Sequence, residues 1–313
     1  MLESKLNLLK EILGSYYKSG ATEFLFHCPQ CDHHKRKLSI NIEKNVFKCW
    51  VCDWSGKNIY RIVRSYGTLS NRFEWKKHFS QVEIENFSEK LFGKEDSLGA
   101  DNHIELPKEF ISLANKNLPP TSLYPLNYLN SRGLNKADII KWKLGYCSSG
   151  DYDGRIIVPS FGPSGKVNYF VARSFTNDWK KYLNPPVTKN IIFNHLYTDF
   201  DEDIVVVEGI FDAFVAGPNA VPLLGSTLRE NHALFQEIVK NDTPIYIALD
   251  PDAGKKEMQI INMLLKYDIE VYKVDVTSHI DVGEMTRETF LQKKHQAKLV
   301  TSSSHLLRTI QSL

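Results

Sequence analysis

The chain has 313 residues, a formal net charge of +2, 42% apolar residues and 24% charged residues. This composition is typical of a water-soluble globular protein, and the length predicts roughly two domains. The longest apolar runs are far shorter than the roughly 20 residues that cross a bilayer, which excludes a membrane-spanning helix. The N-terminal segment mixes acids and bases at helical spacing without a small-residue cleavage site, so we expect no signal peptide and a cytoplasmic location.

Charged residues are unevenly distributed along the chain. Residues 57–77 contain six basic residues against one acid, residues 132–181 contain nine against four, and acids concentrate between residues 199 and 212. A basic middle beside an acidic focus is typical of a nucleic-acid path that leads to a metal site. A charged surface in contact with solvent explains the same distribution equally well, so charge alone leaves both interpretations open.

Four of the five cysteines lie near the N-terminus in the pattern C-x2-C-x17-C-x2-C: Cys28, Cys31, Cys49 and Cys52. Each pair can form a knuckle that points two thiolates at one ion, which predicts a structural tetrahedral zinc site. Disulfide bonds are the weaker alternative because nothing else in the sequence indicates secretion. His33 or His34 could replace one thiolate, although each is more typical of a polar loop. Cys147 is expected to be a small core residue.

The residues between and after the cysteine pairs predict a zinc ribbon. Leu38, Ile40 and Ile42 alternate with polar residues, and Val46 and Phe47 follow, so we expect short strands. Cations and aromatic faces that suit single-stranded nucleic acid are interspersed: Lys35, Arg36, Lys37, Lys48, Trp50 and Trp54. The alternative is that one or both tryptophans close a very small core.

Patterns of periodicity and turn residues divide the chain into five segments. Residues 1–67 form the zinc domain, and residues 68–105 form a linker with some helix around 81–92. Residues 106–200 form a basic α+β subdomain, in which Gly133 separates two helices, Asn135 caps the second, and a turn at 162–165 joins two strands into a hairpin. Residues 201–295 alternate strands and helices, which predicts a parallel α/β sheet, and residues 296–313 form a tail.

Acidic residues follow the ends of the buried strands in this α/β segment. Glu208 ends the first strand, Asp250 and Asp252 follow the third, and Asp281 follows the fourth. Because ligand sites in open parallel sheets lie outside the carboxyl ends of the strands, we expect these carboxylates to converge. Carboxylates that repel one another need a cation, and oxygen ligands favour magnesium or manganese.

Two further acids accompany the strand-end acids. Asp212 lies one helical turn beyond Glu208, where it would ligate the metal or support a ligand, and Glu284 follows Asp281 in the next loop. Any one of these acids taken singly is more often a helix cap or a turn residue. Their recurrence at successive strand ends is what predicts a metal site.

The segments that carry these acids resemble motifs of the TOPRIM domain. VVVEGIFDAFVA is similar to its glutamate motif, and IALDPDAG is similar to its aspartate-x-aspartate motif. The cysteine ribbon, YLNSRGLNKADIIKWKLGYC, DGRIIVPSFGPSGKVNYFVARSF and KKYLNPP precede them in the order found in DnaG-type DNA primases, particularly the shorter phage forms. The resemblance extends to about residue 295.

The chain departs from that family in three places. Many bacterial members use one histidine among the zinc ligands, whereas this chain offers four cysteines. Gly283 stands where the final acidic motif of the family has a second aspartate. The residues after 295 are too few for the helicase-binding domain of bacterial members, so a helicase would be a separate protein that docks elsewhere.

The resemblance implies template-directed synthesis of short RNA primers from ribonucleoside triphosphates on single-stranded DNA during DNA replication. The catalytic and metal-binding acids would be those at the strand ends: Glu208, Asp212, Asp250, Asp252 and Asp281. The template or the incoming triphosphate would be bound by residues that match family positions: Arg155, Arg173, Lys181 and Asn184. For the two arginines the alternative is a surface charge beside a strand, and Arg132 either joins the set or only caps its helix.

The same resemblance implies partners and alternatives. The zinc ribbon would select the start site on the template, in a bacterial cell or a phage-infected host, with a replicative helicase as the other primosome component. A TOPRIM nuclease uses the same metal chemistry and would reveal itself by DNA cleavage without nucleotides. A RecR-like DNA clamp lacks catalysis and would keep its function after the loss of Asp250 and Asp252.

Overall fold

A computed structural model of the chain describes residues 2–79, 103–176, 178–225, 227–277 and 281–301. These residues form three sheets, and helices pack on each of them. The helix predicted around residues 81–92 lies outside the described residues. Within the described ranges, no helix combines the length and the apolar character that crossing a bilayer requires.

The N-terminal sheet is an antiparallel ribbon in the order β1-β2-β3-β4-β5. The elements of this zinc domain are α1 (Leu2–Leu13), β1 (Tyr17–Lys18), β2 (Glu23–Phe26), β3 (Leu38–Asn41), β4 (Val46–Cys49), β5 (Ser55–Gly56), α2 (Tyr60–Tyr66) and α3 (Leu69–Phe79). The predicted ribbon strands are confirmed, and Ile40 and Phe47 face one another in its core. Helix α3 corrects the predicted linker, because Trp75 is buried in this same core and the domain therefore extends beyond residue 67.

The middle sheet is also antiparallel, in the order β6-β7-β8-β9. Its elements are β6 (Ile111–Ser112), α4 (Leu123–Ser131), α5 (Lys136–Lys141), β7 (Gly145–Cys147), β8 (Arg155–Phe161) and β9 (Val167–Ser174). The predicted hairpin and the two predicted helices are confirmed: Gly133 has a left-handed φ of +75°, and the Asn135 side chain accepts hydrogen bonds from the backbone of the first turn of α5. Cys147 is fully buried, as expected for a small core residue.

The third sheet is the predicted parallel α/β unit, with the order β11-β10-β12-β13-β14. Its elements are β10 (Ile204–Val207), α6 (Ile210–Ala216), β11 (Ala220–Pro222), α7 (Ala233–Asn241), β12 (Ile245–Ala248), α8 (Gly254–Lys266), β13 (Val271–Lys273), α9 (Arg287–His295) and β14 (Lys298–Leu299). The first four strands in this order are parallel, and β14 pairs antiparallel with β13. Strand β14 corrects the predicted tail, because the sheet continues past residue 295; residues 302–313 lie outside the description.

The middle and parallel sheets share one hydrophobic core. Tyr146 and Val158 of the middle sheet belong to the same buried cluster as Val207, Phe214 and Phe290 of the parallel unit. Burial of apolar side chains on this scale holds the two sheets in a fixed relation to each other.

The zinc domain contacts the parallel unit through buried charge. Arg61 of α2 donates to both carboxylate oxygens of Asp242, with Nε···Oδ2 at 2.7 Å and Nη2···Oδ1 at 2.9 Å, and both side chains are buried. Tyr60 and Lys76 both hydrogen-bond to Asp201. Three of the six basic residues of 57–77 are therefore used for contacts within the chain: Arg61, Arg64 and Lys76. A nucleic-acid path along the others stays a prediction.

These contacts place the zinc domain at the edge of the sheet opposite to the strand-end acids. Asp201 precedes β10 and Asp242 precedes β12, whereas Glu208 and Asp250 follow the same two strands. A strand of four residues spans about 13 Å, so the two edges are separated by at least that distance.

Candidate active site and zinc centre

The four predicted zinc ligands come together in the ribbon. The Sγ atoms of Cys28, Cys31, Cys49 and Cys52 all lie within 4.8 Å of one another. The Cys28–Cys52 pair is separated by 3.8 Å and the Cys31–Cys49 pair by 3.9 Å. A Zn–S bond of about 2.3 Å in a regular tetrahedron requires sulfurs about 3.8 Å apart, so the four thiols fit one zinc ion.

Local backbone geometry prepares one of these thiols for metal binding. Burial alone would favour its neutral form, but hydrogen bonds from the amides of Cys52 and Val51, together with those from the Cys52 and Cys28 thiols, lower the pKa of Cys49 to about 7. A thiolate, and not a thiol, is the zinc ligand. His33 and His34 lie outside this cluster of four sulfurs, so the all-cysteine ligand set is the one the geometry favours.

The two tryptophans of the ribbon have different environments. Trp54 packs against Phe47 in the core, with ring centroids 4.7 Å apart, so the small-core alternative holds for this residue. Trp50 is 64% exposed, and the Lys48 ammonium lies 5.0 Å from its ring centroid. An exposed ring beside a cation is the arrangement on which a nucleic-acid base stacks.

The strand-end acids converge on one cavity, which we call the acidic cavity. It has a volume of about 530 Å³ and opens where β10 lies between β11 and β12, the point where the strand order reverses. Its predicted acidic lining residues are Glu208, Asp212, Asp250, Asp281 and Glu284. This is the position at which open α/β sheets bind ligands.

Three carboxylates in the acidic cavity have a buried oxygen with no hydrogen-bond partner among the described residues: Glu208 Oε2, Asp250 Oδ1 and Asp281 Oδ1. A buried oxygen without a partner is costly, and three in one cavity are the donor set that a hard divalent cation satisfies. Burial, with the charges of Glu208, Asp281 and Asp252, raises the pKa of Asp250 to about 6. The residues present therefore fit magnesium or manganese.

Asp212 has a different role from the other acids. Its Oδ2 accepts from the Gly209 amide at 2.7 Å, and its Oδ1 accepts from the Gly283 amide at 2.8 Å. A Cβ at position 283 would lie 3.0 Å from Oδ1, so glycine at this position permits the close approach. Asp212 thus ties the turn after β10 to the turn that carries Asp281, and each turn holds a predicted metal ligand.

The environment of Asp212 is also the most perturbed in the site. Burial, reinforced by the charges of Asp250 and Asp281, raises the pKa of Asp212 to about 7 against the opposing amide hydrogen bonds. Several carboxylates whose charges disfavour one another are a recognisable feature of metal sites and active sites.

Two features of the acidic residues were not predicted. Lys256 of α8 pairs with Glu208 at 2.8 Å (Nζ···Oε1), so a cation of the chain itself contacts a predicted metal ligand. Asp252 is exposed on the turn before α8 and is not among the residues that line the acidic cavity. Asp252 lies on the 3₁₀ turn Pro251–Ala253, where its charge still acts on Asp250, and its role as a metal ligand stays a prediction.

Three of the four predicted template or triphosphate residues line the acidic cavity: Arg173, Lys181 and Asn184. Arg155 does not line it. It is 4% exposed, forms an ion pair with Asp178 and donates to the Lys180 carbonyl at 2.9 Å. Arg155 therefore supports the loop that carries Lys181, and its burial contradicts the surface-charge alternative. Its assignment as a template or triphosphate residue stays a prediction.

Four further polar or aromatic residues line the cavity, and three of them were not predicted from the sequence. Arg132, which the sequence left ambiguous, lines it, together with Lys189, Tyr182 and Phe211. Phe211 lies between Glu208 and Asp212 in the glutamate motif, and that position was the one signal that could have identified it. Lys189 donates to the Leu224 carbonyl at 2.9 Å and comes from a loop without periodicity, so no local pattern marks it.

The chain was compared with family models, curated proteins and solved structures. No family model matches it. A DNA primase of Helicobacter pylori is 24% identical, in an alignment covering 82% of this chain and 53% of the relative. A DNA primase of Staphylococcus epidermidis is 22% identical, covering 95% of this chain and 59% of the relative. The chain thus spans little more than half the length of these curated relatives.

Two solved structures have a similar fold. The structure of the DnaG primase catalytic domain bound to ssDNA has a TM-score of 0.53 at 18% identity and covers 61% of this chain and 76% of that chain. The E. coli primase catalytic core has a TM-score of 0.51 at 19% identity and covers 61% of this chain and 78% of that chain. At this level of identity the likeness establishes the fold of the catalytic core.

Proposed function

We propose that this chain is a primase, which synthesises short RNA primers from ribonucleoside triphosphates on a single-stranded DNA template. Its curated relatives are DNA primases, and its fold is that of the DnaG primase catalytic core. The observation that carries this proposal is the acidic cavity, where three buried carboxylate oxygens without partners lie beside a set of cations. A triphosphate bridged to divalent cations needs both kinds of group in one place.

Each group would have a defined task during nucleotidyl transfer. Magnesium or manganese, held by Glu208, Asp250 and Asp281, would neutralise the triphosphate and stabilise the charge of an in-line displacement. Lys181 and Arg173 would bind the phosphates or the template backbone from the opposite wall of the cavity. Asp212 would keep the two ligand-bearing turns at a fixed separation, since its two oxygens bind both of them.

The zinc domain would bind the template. Four cysteines that fit one zinc ion hold the ribbon, and Trp50 offers an exposed face with Lys48 beside it. A base that stacks on Trp50 would place its phosphate within reach of Lys48, which suits single strands and not duplex DNA. The weak net charge predicts modest DNA affinity that falls as salt rises.

The remaining partners follow from the resemblance to primases. A primase of this kind would act with a separate replicative helicase as part of a primosome, in the cytoplasm of a bacterial cell or a phage-infected host. The phage-like short form also remains a prediction.

The test is primer synthesis on single-stranded DNA with magnesium and labelled ribonucleotides. We expect short RNA products from the native chain and none from Asp250→Asn, because the variant loses one of the three carboxylates without a change in side-chain volume. Glu288→Gln, at an exposed position in the first turn of α9, is the matched control and should keep full activity.

Other outcomes would identify the alternatives. Cleavage of the DNA in the absence of ribonucleotides would indicate a TOPRIM nuclease. DNA binding that persists unchanged in Asp250→Asn, with no RNA from either protein, would indicate a clamp without catalysis.

A further inference from the structure

Two arginines of the acidic cavity are held by aromatic rings. The Arg132 guanidinium lies 5.7 Å from the Tyr128 ring centroid and 5.6 Å from that of Phe211. The Arg173 guanidinium lies 5.8 Å from the same Phe211 ring and 4.7 Å from that of Tyr182. Phe211 is therefore shared by both cations, and we call these five residues the arginine–aromatic cluster.

Neither arginine of the cluster is neutralised. Among the described residues, neither forms an ion pair with a carboxylate, although the acids of the cavity are close by. The hydrogen-bond partners of Arg173 are hydroxyl groups: its Nε donates to Tyr128 at 3.1 Å, and its guanidinium also bonds to Tyr182. By contrast, the chain's buried Arg61 and Arg155 each have a carboxylate partner. Both guanidinium groups lie within 6 Å of the Phe211 ring centroid, where the ring attracts each of them and an anion between them would be attracted by both.

A guanidinium stacked on a ring retains its ability to bind an oxyanion. A ring face offers no carboxylate oxygen to the N–H donors of the cation, so these donors stay available for bidentate contacts with phosphate. A carboxylate partner would use those same donors. Aromatic support therefore orders the two arginines and leaves their hydrogen-bonding capacity to a ligand.

The support for Phe211 itself is rigid. Its ring contacts Tyr128 at 6.2 Å and Phe214 at 5.4 Å, both edge to face, and Phe214 is buried against Trp142. Phe211 also belongs to the first turn of α6, whose Asp212 binds the two turns that carry the acids. One helical turn thus fixes the arginines and the carboxylates relative to each other.

We infer that Phe211 is a positioning residue that holds Arg132 and Arg173 side by side as a clamp for a polyphosphate chain. This inference rests on the proposed function, since it assigns the clamp to the triphosphate of the incoming nucleotide. The ring does not touch the ligand's reacting atoms; it acts through the two guanidinium groups.

The experiment measures binding of inorganic triphosphate to the full zinc-loaded chain by calorimetry at constant magnesium, so that it does not depend on primer synthesis. Phe211→Leu keeps an apolar side chain but removes the ring, and we expect affinity to fall about threefold to tenfold. Phe211→Tyr keeps the ring and should bind as the native chain does. Thermal unfolding of all variants checks that the fold is retained.

A double-mutant cycle separates positioning from a general structural effect. If the ring acts through the two guanidinium groups, Phe211→Leu should not lower triphosphate affinity any further once Arg132→Met and Arg173→Met are already present. An equal loss in that background, or native affinity in Phe211→Leu, would overturn the inference. In primer synthesis the same leucine variant should raise KM for ribonucleotides with little change in kcat, and a fall in kcat alone would also contradict it.

The two proposals fail in different ways. If Phe211→Leu loses triphosphate affinity but the native chain makes no RNA, the inference about Phe211 stands and the proposed primase function fails. RNA synthesis by the native chain with unchanged triphosphate binding in the variant would retain the primase and reject the clamp.

Discussion

The contact between the zinc domain and the parallel unit includes one buried ion pair, between Arg61 and Asp242, and its removal gives a testable prediction. Asp242→Asn keeps the size of the side chain and removes its charge. Asp242 ends α7 with a left-handed φ of +49°, a conformation that asparagine tolerates well, so the substitution leaves the backbone unstrained. The result therefore reports the ion pair with Arg61 and not the turn.

The expected magnitude follows from the geometry of the pair. The Arg61 and Asp242 side chains are 7% and 3% exposed and share two hydrogen bonds, so the variant leaves a buried guanidinium without its main partner. Breaking such a pair costs about 3–5 kcal/mol. Arg61 keeps Asp268 at 3.7 Å, which favours the lower end, about 3 kcal/mol, or roughly a hundredfold in the docking equilibrium.

Small-angle scattering and thermal unfolding measure this effect. We expect Asp242→Asn to increase the radius of gyration and to separate the unfolding of the zinc domain from that of the rest. Lys240→Met, which removes an exposed ion pair with Glu237 from the same helix, is the control and should cost less than about 1 kcal/mol. Adding Arg61→Met to Asp242→Asn should recover much of the loss, because the buried charge is then gone.

The reasoning would be refuted if Asp242→Asn matched Lys240→Met in both measurements. It would also be refuted if the double variant were less stable than Asp242→Asn alone. Either result would mean that apolar contacts, and not the ion pair, hold the zinc domain at this edge of the sheet.

Three further predictions concern the two predicted metal sites. In zinc-loaded, magnesium-free protein, Asp250→Asn should raise Tm above about pH 6, and this gain should disappear as pH falls toward 4. The reason is that the raised pKa of Asp250 makes its negative charge destabilise the folded state only at higher pH. An equal difference in Tm at pH 4 and pH 8 would contradict this. Cys52→Ser should lose zinc by elemental analysis and unfold the ribbon, whereas Cys147→Ser should keep zinc. Lys256→Met, which removes the ammonium group from the acidic cavity, should strengthen manganese binding about threefold to fivefold by calorimetry, and the exposed Lys255→Met should leave it unchanged.

Several features of this protein follow from the sequence because they depend on local spacing. The cysteine pairs form knuckles through adjacent residues, and the structure gathers all four sulfurs. Glu208 and Asp250 follow the carboxyl ends of β10 and β12, and the parallel pairing of these two strands brings both ends to one edge of the sheet. The hairpin of β8 and β9 and the cap at Asn135 are equally local.

Other features depend on which surfaces meet, and only the tertiary structure decides them. Arg155 and Arg173 both lie on one hairpin, yet Arg155 is buried against Asp178 while Arg173 reaches the cavity. Arg61 looks like a basic surface residue until it meets Asp242, 181 positions away along the chain. Phe211 has no sequence signal for its contact with two arginines from other elements. The role of a cationic side chain depends on its contact partner, and tertiary packing determines that partner. Sequence periodicity predicts only which face of its own helix or strand a residue lies on.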